Sequence, residues 1–146
     1  MIKIPASLIE QIKRQAEQEY PRECCGLLIG SIEGDGRARV VVETYAVANA
    51  WEESDTMHRR MLITPRDYMR AEREFSREGH GVVGNYHSHP DHPAVPSQFD
   101  LEHLAPWPTM SYIVVSVREG RAADLRSWEL EADRSRFVEE EISKGS

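Results

Sequence analysis

Apolar positions along this chain fall into two rhythms. Leu8, Ile9, Ile12 and Ala16 recur at helical spacing with polar residues between them, which predicts a first helix with one buried face. Ser7 and Glu10 fit a capping box at its start, and Pro21 ends it. Residues 1–4 read as a short edge strand. Residues 23–30 are mostly apolar without alternation, the pattern of a strand buried on both faces. Gly34-Asp35-Gly36 is a hairpin turn signal, and the Val-rich residues 39–47 form the returning strand.

Residues 48–58 read as a loop holding Asn49 and Trp51, and residues 61–63 as a short strand. Thr64 is placed to cap a second helix, with Pro65 at its first position. That helix runs to about Glu78, where Gly79 ends it. Residues 81–89 form a strand with Val82, Val83 and Tyr86. A third helix starts at Ser97, runs to about Leu104, and is broken by Pro106 and Pro108. Residues 111–117 and 122–130 are two further strands joined by a Glu119-Gly120 turn. Residues 136–142 fit either strand or helix, because Phe137 and Val138 alternate poorly with the glutamates. The order predicts an α/β fold: one domain over residues 1–146, a mixed β-sheet flanked by helices, in two or three layers.

Composition narrows the function classes. The 146 residues carry a net charge of −7, the wrong sign for a mainly electrostatic nucleic-acid or anionic-membrane binder. Cys24 and Cys25 are adjacent and have no third cysteine to pair with, so no disulfide framework is expected. No long apolar run suggests a leader or a membrane span. These features predict a cytoplasmic protein.

The chemistry concentrates in residues 84–100, Gly-Asn-Tyr-His-Ser-His-Pro-Asp-His-Pro-Ala-Val-Pro-Ser-Gln-Phe-Asp. His87 and His89 stand at i and i+2 on a strand, so both point to one face. Zinc takes nitrogen and sulfur ligands with carboxylate oxygen as an accepted third, and a catalytic site keeps one corner open. Asp100, in the first turn of the next helix, can supply that third ligand. Pro90, Pro93 and Pro96 stiffen the intervening loop, which limits the entropy lost in fixing Asp100. Glu23, at the mouth of a buried strand, is the best candidate for a general acid/base. Ser97 can offer a hydroxyl to a developing oxyanion.

Glu23, then His87-Ser88-His89-Pro90, then Ser97 after a seven-residue gap from His89, then Asp100 after two more residues, resembles the motif of the JAMM (MPN+) zinc metalloproteases. The chain is similar to the small stand-alone prokaryotic members, which share a cytidine-deaminase-like sandwich. The resemblance implies one Zn2+ held by His87, His89 and Asp100, with Glu23 and Ser97 as catalytic groups. It also implies hydrolysis of the amide after the C-terminal Gly of a ubiquitin-like or sulfur-carrier protein with a Gly-Gly tail. One such reaction releases cysteine or another adduct from a carrier in cysteine biosynthesis. The alternatives are an isopeptidase that frees a ubiquitin-like modifier from lysine, and a non-catalytic interaction module on the same fold. Neither nucleic acid nor membrane is an expected partner, and a homodimer stays an open option. A zinc nucleoside deaminase needs His-x-Glu and Pro-Cys-x-x-Cys, and the chain has neither.

Each residue also has a plainer reading. Ser97 to Asp100 fits a helix-capping box, and His87 and His89 can be core histidines. His92 is expected to be an exposed bystander, because a fourth protein ligand would close the site. His58, His80 and His103 have no partner pattern. Cys24 and Cys25 are expected to be buried and inert. Asn85 or Ser88 is expected to support a metal ligand. Arg66, Arg70, Arg73 and Arg77 are expected on a solvated, salt-bridged helix face. Trp51 and Trp107 either border the groove or pack.

Overall fold

The computed structural model describes residues 1–34, 38–48, 63–103 and 109–144. In chain order the elements are β1 (Ile2–Lys3), α1 (Ala6–Glu19), β2 (Cys25–Glu33), β3 (Ala38–Val47), α2 (Pro65–Phe75), β4 (Gly81–Pro90), α3 (Gln98–His103), β5 (Ser111–Arg118), β6 (Arg121–Leu130), β7 (Phe137–Glu140) and β8 (Ile142–Ser143). The hairpin tip at Asp35 and Gly36, the loop with Asn49 and Trp51, most of the 61–63 strand, Trp107 and the breaks at Pro106 and Pro108 lie outside the described residues.

The eight strands form one mixed sheet in the order β7-β6-β5-β4-β2-β3-β1-β8. Pairing is parallel for β4 with β5 and for β1 with β3 and β8, and antiparallel elsewhere. Central position explains the unbroken apolar run of β2: both of its faces are covered. Leu28 faces one way with Tyr86, Val41, Ile113 and Val115, against Leu8, Ile9, Ile12 and Ala16 of α1. Leu27 and Ile29 face the other way, against Ala71 of α2. The architecture is therefore three-layered, with the sheet between α1 on one side and α2 and α3 on the other.

Helix ends follow local chemistry. Thr64 caps α2: its Oγ1 accepts from the Asp67 amide, and the Asp67 carboxylate accepts from the Thr64 amide. Residues Ser76–Glu78 tighten into a 3-10 turn, and Gly79 closes it at φ 73°, a left-handed conformation that suits glycine. The first helix differs from the Ser7–Glu10 expectation. It begins at Ala6 behind Pro5, with no side-chain cap. The fixed φ of proline already directs the chain into the helix, and the Pro5 carbonyl accepts from Leu8 and Ile9.

Two other expectations change. Strand β1 is not an edge, because β8 pairs along its outer side. The ambiguous C-terminal segment is neither one strand nor a helix. It splits at Glu141 into β7, which pairs with β6, and β8, which pairs with β1. These two strands stand at opposite ends of the strand order, so their one-residue link curls the sheet until its ends meet. Buried Arg39 ties this closure together, with Nη1 3.1 Å from Glu129 and Nε donating to the Thr109 carbonyl at 2.9 Å. Among the described residues, no helix is long and apolar enough to cross a membrane.

Two tests follow. A Cβ added at Gly26 would lie 2.2 Å from the Tyr86 ring, so Gly26→Ala must displace a buried tyrosine. Overpacking of that kind costs about 1–3 kcal/mol, to be read as a lower midpoint in chemical denaturation. Burial pushes the Cys24 thiol up to about 12 against a weaker lowering effect of Ser88, and it raises Cys25 as well. Neither thiol is bridged. Iodoacetamide at neutral pH is expected to label both only in denaturant, because the thiolate is the reactive form.

Candidate active site

Strand β4 carries the first half of the site. Its alternation sends Tyr86 and Ser88 toward α1, and Asn85, His87 and His89 toward α2 and α3. Tyr86 Oη donates to Gln15 of α1, and Asn85 Nδ2 donates to Tyr68 of α2. The loop of residues 91–97 then turns back and opens α3, which delivers Asp100. His87, His89 and Asp100 are all buried.

Three atoms converge. His87 Nε2 and His89 Nε2 are 3.0 Å apart, and each is 3.1 Å from Asp100 Oδ2. Around a tetrahedral zinc with bonds of about 2.0–2.1 Å, neighbouring ligands lie about 3.3 Å apart. The observed triangle is smaller by only a few tenths of an ångström, so the donor set and its spacing fit such an ion. The tautomer of His89 fits too. Its Nδ1 is 3.0 Å from the Pro93 carbonyl, a bond that needs the proton on Nδ1 and leaves a lone pair on Nε2. That lone pair points at an oxygen that also only accepts. With Nε2 protonated as well, the same contacts become charge-assisted: burial alone would raise the Asp100 carboxyl, but His87 and His89 then outweigh it and hold the group well below the usual carboxylate range.

Ser97 and Asp100 do form the capping box. The Ser97 amide donates to Asp100 Oδ2 at 2.8 Å, and the Asp100 amide donates to Ser97 Oγ at 3.1 Å. The plain reading and the chemical one therefore share a geometry: the cap fixes the carboxylate that faces the histidines. Ser97 Oγ accepts in this bond and keeps its own proton to give.

Glu23 lies just ahead of β2 rather than on it, and it is buried. A hollow of about 440 Å³ is lined by Glu23, His89, His92, Pro93, Val95, Ser97, Gln98 and Phe99. The fold thus brings Glu23, His89 and Ser97 around one opening, with His87 and Asp100 in contact with His89. His92 is exposed on the rim and outside the three-residue cluster. His80 stands near Glu78 of the turn after α2, and His58 lies outside the described residues. Arg66, Arg70 and Arg73 are exposed, and none forms an ion pair among the described residues. At these three arginines the helix face is solvated, without the expected salt bridges among the described residues.

The groups that steady the cluster differ from those expected. Asn85 bonds Tyr68, and Ser88 Oγ accepts from the Cys24 amide at 2.8 Å. The supports are main-chain groups instead: the Pro93 carbonyl for His89 and the Ser97 amide for Asp100. Side-chain types carry no signal of the first. The second could have been read from the capping box itself.

Residues 5–131 match the family described as prokaryotic homologs of the JAB domain. The chain is 31% identical to the desampylase of Haloferax volcanii over 110 residues, covering 75% of this chain and 73% of the relative. It is 30% identical to the CysO-cysteine peptidase of Mycobacterium tuberculosis over 127 residues, covering 87% and 81%. A solution structure of a protein from Salinibacter ruber superposes with a TM-score of 0.75 at 40% identity, covering 100% of this chain and 92% of that one. With that match over most of its length, the chain belongs to the family of prokaryotic homologs of the JAB domain and is a JAMM-type hydrolase.

Proposed function

We propose that this chain, as one domain over residues 1–146, is a zinc-dependent cytoplasmic peptidase. It hydrolyses the amide after the C-terminal Gly of a ubiquitin-like protein and releases cysteine or another adduct from a sulfur-carrier protein. The observation that carries the reading is the triangle of His87 Nε2, His89 Nε2 and Asp100 Oδ2 beside a hollow that Glu23 and Ser97 line. The relative named CysO-cysteine peptidase supports the adduct as substrate. The relative named desampylase keeps release of a modifier from lysine as the second reading.

His87, His89 and Asp100 hold the zinc in this reading. An ion held there would supply Lewis acidity to the amide carbonyl and to water. Glu23 takes the proton from the attacking water and returns it to the departing amine. The water oxygen bonds to the carbonyl carbon, and the C–N bond breaks as the amine is protonated. Ser97 donates its hydroxyl proton in a hydrogen bond to the developing oxyanion. At His87, β4 is paired on both sides, by β2 and by β5, so no strand can add there. An extended tail instead enters the hollow between Glu23 and residues 92–99.

Two substitutions test the roles. Glu23→Gln is expected to cut turnover of a carrier–cysteine adduct by about 10²–10⁴-fold with bound zinc unchanged, measured by intact mass and metal analysis. Full activity in that variant removes Glu23 from the mechanism. Asp100→Ala is expected to lower zinc content well below about one ion per chain, since it removes one of three protein ligands. Unchanged stoichiometry counts against the ligand set.

A further inference from the structure

A general base works only within hydrogen-bond reach of the proton that it moves, and a displacement of 1 Å can cost about 10²-fold in rate. Glu23 stands outside the regular hydrogen bonding of β2, in the short connection between α1 and that strand. Its placement relative to the histidines therefore depends on what ties this connection down.

The connection is tied at both ends to the segment that carries the histidines. After Glu23, the Cys24 amide donates to Ser88 Oγ at 2.8 Å, and the Ser88 amide donates to the Cys24 carbonyl at 3.1 Å. Ser88 stands between His87 and His89. Before Glu23, Tyr20 Oη donates to Asp91 Oδ2 at 2.6 Å. Asp91 stands two residues after His89 and is itself fixed. Its Oδ1 accepts from the Glu119 amide at 2.9 Å, and its own amide donates to the Val117 carbonyl at 2.6 Å. Its φ of 58° puts it in the left-handed region, which aspartate enters more readily than most residues. Within the connection, the Arg22 amide donates to the Glu19 carbonyl at 2.8 Å.

We propose that Tyr20 and Asp91 are positioning residues, which with the Cys24–Ser88 pair clamp Glu23 over the His87–His89–Asp100 cluster. The inference rests on the reading of Glu23 as the general acid/base. It assigns the Tyr20 hydroxyl a role that the packing of its ring does not require. The ring packs against the α1 core, so Tyr20→Phe keeps that packing and loses only the bond to Asp91.

The test uses the full chain loaded with zinc and a carrier–cysteine adduct as substrate. Tyr20→Phe is expected to lower kcat about ten-fold, in line with a sub-ångström drift of the base, with KM and bound zinc unchanged. Asp91→Ala is expected to do the same, and the double variant no worse than Asp91→Ala alone, because the two act as one unit. Asp91→Asn keeps an acceptor oxygen and should recover most of kcat. Unchanged kcat in both single variants overturns the proposal. Loss of zinc together with kcat overturns it as well, since the bond would then support the histidines rather than Glu23. Amide exchange followed by NMR reads the clamp without any turnover. Tyr20→Phe should speed exchange at Arg22, Glu23 and Cys24 while Ile113 and Val114 stay as protected as before. Equal rates at all five overturn the clamp. Faster exchange in a protein whose unaltered form cleaves no adduct keeps the clamp and sinks the substrate reading.

Discussion

Two imidazole nitrogens and a carboxylate oxygen, packed within 3.1 Å of one another and buried, stay together only with a cation among them, a proton or a metal ion. That is the condition at His87 Nε2, His89 Nε2 and Asp100 Oδ2. The fold does not relieve it by moving the groups apart. It fixes them instead, with the Pro93 carbonyl holding the His89 tautomer and the Ser97 amide holding the carboxylate. A protein that uses hydrogen bonds to keep such a cluster assembled is prepared for an ion. In the proposed function, an ion held there gives Glu23, Ser97 and the hollow a common purpose.

The sheet makes this arrangement rigid. Strand β4 lies near the middle, held by β2 on one side and β5 on the other, so its histidines cannot swing away as a loop pair could. The route back to Asp100 is short and carries Pro90, Pro93 and Pro96. Glu23 comes from the neighbouring strand's entry, tied to the same segment through Ser88 and Asp91. Three separate parts of the chain are thus referenced to one strand end. At the far side, the link between β7 and β8 brings the two ends of the sheet together.

Much of this could be read from the residues because local chemistry decided it. Thr64-Pro65 with Asp67, Gly79, the apolar stripe of α1 and the Glu119-Gly120 turn each name their own conformation. The candidate cluster was legible for a similar reason: His87 and His89 must share a face of a strand, and Ser97 with Asp100 must open a helix. What escaped depended on distant pairing. Residues 1–4 look like an edge until β8 returns to cover β1, and residues 136–142 fit either strand or helix because they divide between two ends of the sheet. Main-chain supports such as the Pro93 carbonyl escaped because any residue type can offer one. Asn85 and Ser88 misled for the opposite reason, since polar side chains beside the histidines turned out to bond Tyr68 and Cys24.

The most direct measurement of the central claim is X-ray absorption at the zinc edge on the purified, zinc-loaded protein. The account predicts two imidazole nitrogens and oxygen donors at about 2.0–2.2 Å, with no sulfur. A sulfur shell at about 2.3 Å, which would bring in Cys24 or Cys25, contradicts it. So does a third imidazole, which would bring in another histidine such as His92.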